Sequence, residues 1–553
     1  MATGTLSPLR RFFRLLSLDR RDLTYIYIFG FFNGIIGLSL PLCVQALMNL
    51  VIGGRITASW GVLLFFLGLG VLLNGGFSLL QMYITEGLQR RLFARTALDF
   101  SYRLPRFRLD VLDTVFAPEL INRFFDTLTI QKGLSKLLID CTAALLQMFF
   151  GLLLLSFYHV GFFALGVSLL FVLVAILFFT YRNALQTSIV ESKYKYKVVH
   201  WLEEVARTLY SFKLRTSNNF TMRQTDALVE NYLTYRKKHF TIIALQYFGF
   251  VVFKTLITVG LLALGTYLVM QNEINLGEFV AAEIIAILVI GSVEKVILAM
   301  ETLFDVLTAV DKIGTVTDIP LEEQGALEFS TVNTEKGVLV EIKNVNFAFP
   351  NTLGVSLNDI SLIAKPNARI CISGKSGSGK SVLLQLIGGL HPAQQGSIAY
   401  NGIPLGNFNL DSLRQYIGSK SAHESLFEGS LRNNITMGSE IDTQRLLDIL
   451  RQFGLMDFMQ NLPQGIDTVL LPEGKSLSQT IIQKILLARA VAACPKLLLL
   501  EDADFHLSDA EQQALLRPIF DKTNPYTLIV VSNSPFIQSM CDEVVLMENG
   551  RIV

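Results

Sequence analysis

Six long apolar runs are the sequence feature that most constrains the fold of this chain. Each has about 20 residues or more, the length that an α-helix needs to cross the hydrocarbon core of a bilayer. The runs cover Tyr25–Met48, Trp60–Ile84, Leu138–Tyr158, Gly161–Thr180, Thr241–Met270 and Phe279–Met300. A composition of 51% hydrophobic and only 17% charged residues agrees with them, because a wholly soluble chain is less apolar. The sequence therefore predicts a multi-pass membrane protein.

The distribution of Lys and Arg between the runs predicts its orientation. Five precede the first run, nine lie between the second and third runs, and eleven lie between the fourth and fifth, whereas the opposite side carries only Arg55. Cytoplasmic loops carry the excess of positive charge. We therefore expect the N-terminus, both long loops and the C-terminus to be cytoplasmic.

Four regions follow along the chain. Residues 1–23 are predicted to form an interfacial elbow helix, because apolar residues recur at helical spacing among five arginines. Residues 24–309 hold the six membrane helices, whose long loops predict helices that continue below the bilayer. Residues 310–337 lack apolar runs and are interpreted as a linker. Residues 338–553 are predicted to form a soluble domain.

Charge and cysteine content narrow the function. A formal net charge of +1 argues against a nucleic-acid partner, since such proteins concentrate basic residues on one face or in one domain. The five cysteines are scattered without paired spacing, which argues against a disulfide framework or a zinc site.

A glycine-rich loop in the soluble domain predicts a nucleotide site. It follows the strand-like segment Ala368–Ile372 and precedes the apolar segment Val382–Ile387, which is the strand, loop, helix order of a phosphate-binding loop. Lys380 is expected to reach the outer phosphates and the Ser381 hydroxyl to hold Mg²⁺. The predicted cofactors are ATP and Mg²⁺, and the alternative is a glycine-rich turn without a ligand. The loop consists of Gly374, Lys375, Ser376, Gly377, Ser378, Gly379, Lys380 and Ser381.

The motifs after this loop resemble the nucleotide-binding domain of ABC transporters, and the six-run front half resembles their exporter-type membrane domain. The resemblance implies an all-α transmembrane domain of six helices followed by an α/β P-loop NTPase domain. It also implies that the Phe349 ring stacks on adenine, that Ser478 contacts the ATP of a second subunit, and that Glu501 holds Mg²⁺. The motifs are Phe347–Pro350, Leu426–Ile435, Leu477–Ser478, Ile485–Ala490, Pro495–Asp502 and Thr527–Ser532.

Within the family, the front half is most similar to bacterial peptide exporters and the type I secretion group. This similarity implies a bacterial inner (cell) membrane, a homodimer or a heterodimer with another half-transporter, and a peptide, protein or amphipathic substrate. For the secretion group it also adds a periplasmic adaptor and an outer-membrane channel as expected partners.

Three departures from the family pattern fall on residues that hydrolyse ATP. The strand that normally ends Asp-Glu here ends Glu501-Asp502, so the expected base Asp502 is one methylene too short. A displacement of about 1 Å can lower a rate on the order of a hundredfold. Asn533 stands where the family has a histidine that contacts the γ-phosphate. Ala422 replaces a glutamine that helps to hold Mg²⁺, with the neighbouring His423 as an alternative donor.

Two further departures affect the contact between subunits. The signature reads Ser478-Gln479-Thr480, so side chains occupy positions where the family has glycines that leave space for phosphate. Ser508 replaces an aspartate between the two sites. Two functions remain open: an exporter half with impaired hydrolysis, and a non-pumping ATP-binding regulatory or structural subunit.

Three charged residues within the apolar runs also allow two interpretations. Glu283 and Glu294 lie in the last run and Lys254 in the one before it. Charges inside a bilayer face a partner or a cavity. They either line a translocation path, or belong to an internal ion pair or to a cytosolic extension of the last helix.

Overall fold

The computed structural model describes residues 7–52, 58–112, 117–215, 219–332, 334–349, 356–501 and 509–553. The chain divides into two compact units. The helical unit comprises Met1–Pro105 and Phe116–Ile319, and the α/β unit comprises Arg106–Val115 and Pro320–Val553.

The helical unit is built from long α-helices, as its apolar runs predict. Six helical stretches among the described residues are long and apolar enough to cross a membrane: Arg20–Val51, Ala58–Arg106, Pro118–Tyr158, Val160–Arg207, Phe220–Met270 and Leu276–Thr317. The first crossing is divided into α2 and α3. The helices of this part of the chain are α1 Pro8–Ser17, α2 Arg20–Ile36, α3 Ser39–Ile52, α4 Ala58–Arg103, α5 Leu109–Leu112 (which belongs to the α/β unit), α6 Ala117–Asn122, α7 Asp126–Lys136, α8 Thr142–Tyr158, α9 Val160–Arg207, α10 Leu209–Arg215, α11 Phe220–Met270 and α12 Leu276–Thr317.

Helix α12 is the central element of the helical unit. Its residues Ile285, Val289 and Val293 are buried at helical spacing and belong to one core cluster with residues of α8, α9 and α11. A Cβ added to Gly151 of α8 would lie 2.6 Å from Val289 Cγ2, so the close approach of the two helices requires glycine there. Side-chain packing of this kind drives helix association in lipid.

The helices continue well beyond the apolar runs, as the long loops predict. Helix α9 has 48 residues, whereas the fourth apolar run ends at Thr180. Helix α12 likewise extends to Thr317, although the linker is predicted to begin at residue 310. The extension stays helical because Val306, Val310 and Val316 are buried. Helix α1 lies where the elbow helix is predicted, with Phe12 and Leu16 buried and Phe13 exposed.

The charged residues within the apolar runs do not form the internal ion pair that the sequence allows. Among the described residues, Lys254 has no salt bridge with Glu283 or Glu294. The Tyr247 hydroxyl donates to Glu294 at 3.5 Å instead.

The α/β unit contains two main sheets. Its elements after the linker are β1 Val340–Phe347, β2 Leu357–Ala364, β3 Arg369–Gly374, α13 Lys380–Ile387, β4 Gln395–Tyr400, β5 Ile403–Pro404, α14 Leu410–Arg414, β6 Ile417–Lys420, β7 Gly429–Ser430, α15 Leu431–Thr436, α16 Thr443–Gln452, α17 Met456–Gln460, β8 Val469–Leu470, α18 Gln479–Ala492, β9 Leu497–Glu501, α19 Asp509–Phe520, β10 Thr527–Val531, α20 Pro535–Ser539, β11 Glu543–Glu548 and β12 Arg551–Ile552. One sheet is antiparallel with strand order β2-β1-β4-β5, and the other has the order β12-β11-β3-β10-β9-β6, in which all strands but β12 run parallel.

The register of the parallel sheet determines where the site lies. Val531 of β10 pairs with Ile372 of β3 and with Glu501 of β9. The residues that follow these strands therefore meet at the carboxyl edge of the sheet. Open parallel sheets bind their ligands at this edge.

Residues 106–112 join the α/β unit from a distant part of the chain. The buried Phe107 forms an isolated bridge with Leu321. The Arg106 guanidinium donates to Asp411 Oδ2 of α14 from Nε at 3.0 Å and from Nη2 at 2.8 Å. The α/β unit is thus assembled from two separate stretches of sequence.

Candidate nucleotide site

The glycine-rich loop connects β3 to α13 in a shape that only glycine permits at two positions. Gly374 has φ +145° and Gly379 has φ +96°, values that side chains rarely adopt. A Cβ at Gly374 would lie 2.2 Å from the backbone oxygen of Met547, and one at Gly379 would lie 2.6 Å from that of Ser356. The loop leads directly into the N-terminus of α13, an arrangement that favours phosphate.

Lys380 is folded over this loop. Its Nζ donates to the backbone oxygens of Gly374 at 2.8 Å and Lys375 at 2.7 Å, and to Ser378 Oγ at 3.4 Å. These three hydrogen bonds use all three donors of the ammonium group. Phosphate oxygens of a bound nucleotide would therefore have to take the place of these loop oxygens. Ser378 is buried, whereas Lys375, Ser376 and Gly377 are exposed.

Ser381 and Glu501 come together although they are far apart in sequence. The Ser381 hydroxyl donates to Glu501 Oε1, and the backbone N–H of Ala422 donates to Oε2 at 3.3 Å. A hydroxyl and a carboxylate oxygen beside a phosphate loop are ligands that suit Mg²⁺, which takes one or two carboxylates together with phosphates of the substrate. The donor set fits the predicted ion, with Ala422 contributing backbone only and His423 exposed.

Asn533 lies next to the start of the loop. Its Oδ1 accepts from Ser373 Oγ at 2.9 Å and from the backbone N–H of Gly374 at 3.0 Å. In this arrangement the Asn533 side chain fixes the end of β3. The predicted base Asp502, and also Ser508, lie outside the described residues.

The predicted adenine-stacking residue Phe349 is supported by two other rings. Its ring meets Phe347 edge-on with centroids 5.1 Å apart and His391 with centroids 5.6 Å apart. His391, which is buried, was not predicted from the sequence. The sequence signal that could have indicated its burial is its position next to the apolar residue Leu390.

Ser478 forms the N-cap of α18. Its Oγ accepts from the backbone N–H of Ile481 at 3.3 Å. Ser478 and Gln479 are exposed. The helix N-terminus, which attracts anions, therefore faces outward from the α/β unit of a single chain.

Lys420, the last residue of β6, was also not predicted as part of this region. Lys420 is 2% exposed, and its Nζ donates to the backbone oxygen of Glu501 at 2.8 Å. From the sequence, a lysine at the end of a strand and next to a loop is expected to be exposed to solvent. Its burial results from the pairing of β6 with β9, in which Lys420 lies opposite Leu500.

Comparison with known proteins agrees with both units. The sequence profile of the ABC transporter transmembrane region matches residues 23–293, and that of the ABC transporter matches residues 357–504. Over 97% of this chain and 95% of the other, the fold is similar to a bacterial Atm1-family ABC exporter with ATP bound, at a TM-score of 0.87 and 17% identity.

Curated relatives align over shorter stretches. An ATP-dependent lipid A-core flippase of Saccharophagus degradans is 32% identical over 45% of this chain and 42% of that protein. The alpha-hemolysin translocation ATP-binding protein HlyB of Escherichia coli O157:H7 is 27% identical over 52% of this chain and 41% of that protein. The chain thus spans about half the length of the curated relatives it matches. With profiles matched in both units and the exporter fold along nearly its whole length, the chain belongs to the ABC transporter family and has the transmembrane and nucleotide-binding domains of an exporter half-transporter.

Proposed function

We propose that this chain is the ATP-binding half of an ABC exporter that moves its substrate out of the cytoplasm and hydrolyses ATP slowly. The observation that carries the proposal is the arrangement at the carboxyl edge of the sheet. The phosphate loop and the Ser381–Glu501 pair, which would bind the nucleotide and Mg²⁺, are complete. By contrast, Asn533 is hydrogen-bonded to the start of the loop, and Ala422 contributes only its backbone N–H. The site therefore contains the groups that bind the nucleotide, whereas the groups that would promote its hydrolysis are poorly suited to that role.

The proposed mechanism needs two chains. Each ATP lies between the phosphate loop of one chain and the N-terminus of α18 of the other, so that ATP binding closes the pair. Closure biases the membrane helices toward an outward-facing cavity, because the closed pair binds the nucleotide more tightly. The exposed Ser478 cap is compatible with a contact of this kind. The partner is a second copy or another half-transporter.

The first turn of α18 weakens the site that it completes for the partner chain. Gln479 and Thr480 occupy the first turn of the helix, where each adds a side chain next to the N–H groups that would meet phosphate. In a homodimer both sites would combine this turn with the short base Asp502. In a heterodimer with an intact partner, one site would contain the short base Asp502, and the other site would contain the altered first turn of α18.

For the substrate we propose a peptide, protein or other amphipathic molecule. The relatives include one named for lipid A-core and one named for alpha-hemolysin, and both of these are amphipathic or proteinaceous. Orientation follows the distribution of positive charge, with both termini on the cytoplasmic side of a bacterial inner membrane. A periplasmic adaptor and an outer-membrane channel would complete the path for a secreted protein.

A non-pumping ATP-binding regulatory or structural subunit is the second candidate. The same observation favours it, because a site with binding groups and weak catalytic groups can act as a sensor. The two candidates differ in transport, since only the first predicts ATP-dependent movement of a substrate across the membrane.

The test measures ATP binding and hydrolysis by the purified full chain in nanodiscs. We expect ATP to bind and turnover to be about a hundredfold slower than that of an intact exporter, because the expected base Asp502 is one methylene shorter than a glutamate and a misplacement of about 1 Å can lower a rate on the order of a hundredfold. Lys380→Ala should abolish binding. Lys343→Ala is the control, since Lys343 is exposed and paired with Glu341 on the antiparallel sheet.

Turnover as fast as that of an intact exporter, and lost in Lys380→Ala, would contradict impaired hydrolysis. Turnover that appears only when a second half-transporter is added would identify a heterodimer. ATP-dependent uptake of substrate into inside-out vesicles separates the exporter from the non-pumping subunit.

A further inference from the structure

The aromatic segment Phe347–Phe349 and the phosphate loop are joined through one residue of the α/β unit. The backbone oxygen of Phe347 accepts a hydrogen bond from the backbone N–H of Ser356 at 2.9 Å. The backbone oxygen of Ser356 in turn packs against Gly379 of the loop, where an added Cβ would lie 2.6 Å from it. The predicted base-stacking ring and the predicted phosphate-binding loop therefore belong to one connected region.

Strand pairing does not extend to the Phe349 ring. The pairing of β1 with β2 ends at Phe347 and Leu357, two residues before Phe349. Phe349 is half-buried and packs against the core cluster that contains Phe347. A ring that stacks on a base benefits from a defined orientation before the nucleotide arrives, because ordering it during binding would lower the affinity.

His391 provides such an orientation from the loop between α13 and β4. This buried ring contacts Phe347, with centroids 5.3 Å apart, and Phe349, with centroids 5.6 Å apart. The ring planes of His391 and Phe349 are inclined by 88°, an edge-to-face contact that aromatic pairs favour. Phe347 meets Phe349 at 85°. Neither of these two rings is therefore stacked on Phe349 in parallel, as a base would be.

Gln394, in the same loop, fixes the backbone between the two phenylalanines. Its Nε2 donates to the backbone oxygen of Ala348 at 2.8 Å, and its Oε1 accepts from the backbone N–H of Ala348 at 3.0 Å. One side chain thus satisfies both polar backbone groups of Ala348, as the opposite residue does in a hydrogen-bonded antiparallel pair. The loop after α13 therefore holds the aromatic segment both by its ring and by its backbone.

We propose that His391 and Gln394 are positioning residues for the nucleotide base, because they hold the Phe349 ring in the orientation in which it stacks on that base. The proposal rests on the ATP binding proposed above and on the stacking role that the resemblance implies for Phe349. Both residues act through Phe349 and have no part in holding the phosphates. The contribution of the base to the affinity for a nucleoside triphosphate therefore depends on the loop after α13.

A double-mutant cycle in the full chain, measured by equilibrium ATP binding with Mg²⁺, tests the proposal. We expect His391→Ala to weaken ATP binding about three- to tenfold, because Phe349 loses an aromatic contact that orients it. Phe349→Ala should weaken binding about tenfold, the order of effect of a lost base stack. When Phe349 is already alanine, His391→Ala should have no further effect. His391→Phe keeps a ring in place and should bind ATP as the wild type does.

Gln394→Ala tests the backbone part of the same support, and it decides the matter if His391→Ala does not fold. Gln394 is exposed, so its truncation removes the two hydrogen bonds without opening a cavity. We expect ATP binding to weaken about threefold, and only while Phe349 is present. Gln395→Ala is the matched control. This neighbouring exposed glutamine accepts from Asn346 Nδ2 at 3.3 Å, and its loss should leave ATP binding unchanged.

Tripolyphosphate distinguishes positioning of the base from a general disturbance of the site. It carries the phosphates without a base, and its affinity is measured by competition with ATP. Because the phosphate loop is unaltered, His391→Ala and Gln394→Ala should bind tripolyphosphate as the wild type does.

Equal losses of affinity for ATP and for tripolyphosphate would overturn the proposal. So would an effect of His391→Ala or Gln394→Ala that persists when Phe349 is alanine, or wild-type ATP affinity in both single variants. In each of these cases, ATP binding by the wild type leaves the proposed function intact. A wild-type protein that does not bind ATP would overturn the proposed function itself.

Discussion

Asn533 has a structural role at the start of the phosphate loop, at a position where the resemblance predicts a contact with the γ-phosphate. Its amide oxygen accepts hydrogen bonds from Ser373 and Gly374, the two residues that lead into the phosphate loop. A histidine in the same place would present a titratable ring to the γ-phosphate. Here the residue stabilises the loop by which the nucleotide is held.

Asn533→Ala is expected to weaken ATP binding about five- to tenfold. The change leaves the N–H of Gly374 without its acceptor, and an unsatisfied buried donor costs about 1–3 kcal/mol, part of which would appear in the loop. Equilibrium ATP binding measures the effect. Ser534→Ala, at the adjacent half-buried position, should bind ATP normally. Equal affinities of wild type and Asn533→Ala would show that the bond does not support the loop.

The sequence predicts the site only in part at this scale. The glycine spacing, together with the strand-like segment before it and the apolar segment after it, predicts the phosphate loop, and the structure brings its residue Ser381 to Glu501. The burial of Lys420 and the orientation of Asn533 could not be predicted in the same way. Both depend on the order and register of neighbouring strands, which are set by contacts between distant parts of the chain.

At the scale of elements, the short stretch 106–112 is the least expected part of the α/β unit. It contains α5 and the ion pair in which Arg108 donates to Asp110 from Nη2 at 2.6 Å and from Nε at 3.1 Å. The hydrogen bond from Arg108 lowers the pKa of the Asp110 carboxyl below its ordinary value. The folded state therefore favours the charged carboxylate.

This pKa shift predicts a pH-dependent contribution to stability. Because the folded pKa is lower than the unfolded one, the ion pair stabilises fully above the ordinary pKa of aspartate, about 3.9. The contribution is lost as the pH falls through the lowered folded value. It should stay below about 1 kcal/mol, since both side chains are partly exposed.

Thermal unfolding of wild type and Asp110→Asn over a series of pH values would measure it. The wild type should unfold at a higher temperature at neutral pH, and the difference should vanish in acid. Asp448→Asn is a control on an exposed helical ion pair. A difference that grows toward low pH would contradict the assignment.

The apolar runs predict the membrane helices well because burial in lipid requires about 20 apolar residues whatever the tertiary contacts. The division of the first crossing at Gly37 and Leu38 was not predicted, although Gly37 and the nearby Pro41 disfavour a continuous helix. The end of α12 at Thr317 was also missed, because its last turns are stabilised by packing of Val316 and not by a long apolar run.

At the scale of the whole molecule, one exposed thiol can test the orientation. Cys494 of the α/β unit is exposed, whereas Cys43 and Cys141 of the helical unit are partly buried. If the α/β unit is cytoplasmic, a membrane-impermeant maleimide should label Cys494 in inside-out vesicles and leave it unlabelled in intact cells.

Cys494→Ser should remove the signal and so identify the labelled residue. Labelling of Cys494 in intact cells would place the α/β unit outside and reverse the orientation that the positive charges predict.

The two-part origin of the α/β unit has a consequence for biosynthesis. Residues 106–112 leave the ribosome long before β1, so Phe107 and Arg106 must wait without Leu321 and Asp411 while four further membrane helices are inserted. The entropic cost of closing this long loop grows only slowly with its length. The long separation therefore delays the contacts but adds little to the free-energy cost of forming them. Until Leu321 and Asp411 have been made, the Phe107 ring and the Arg106 guanidinium lack these partners. A fragment that begins after residue 320 would lack Phe107 and Arg106, and with them these contacts of the α/β unit.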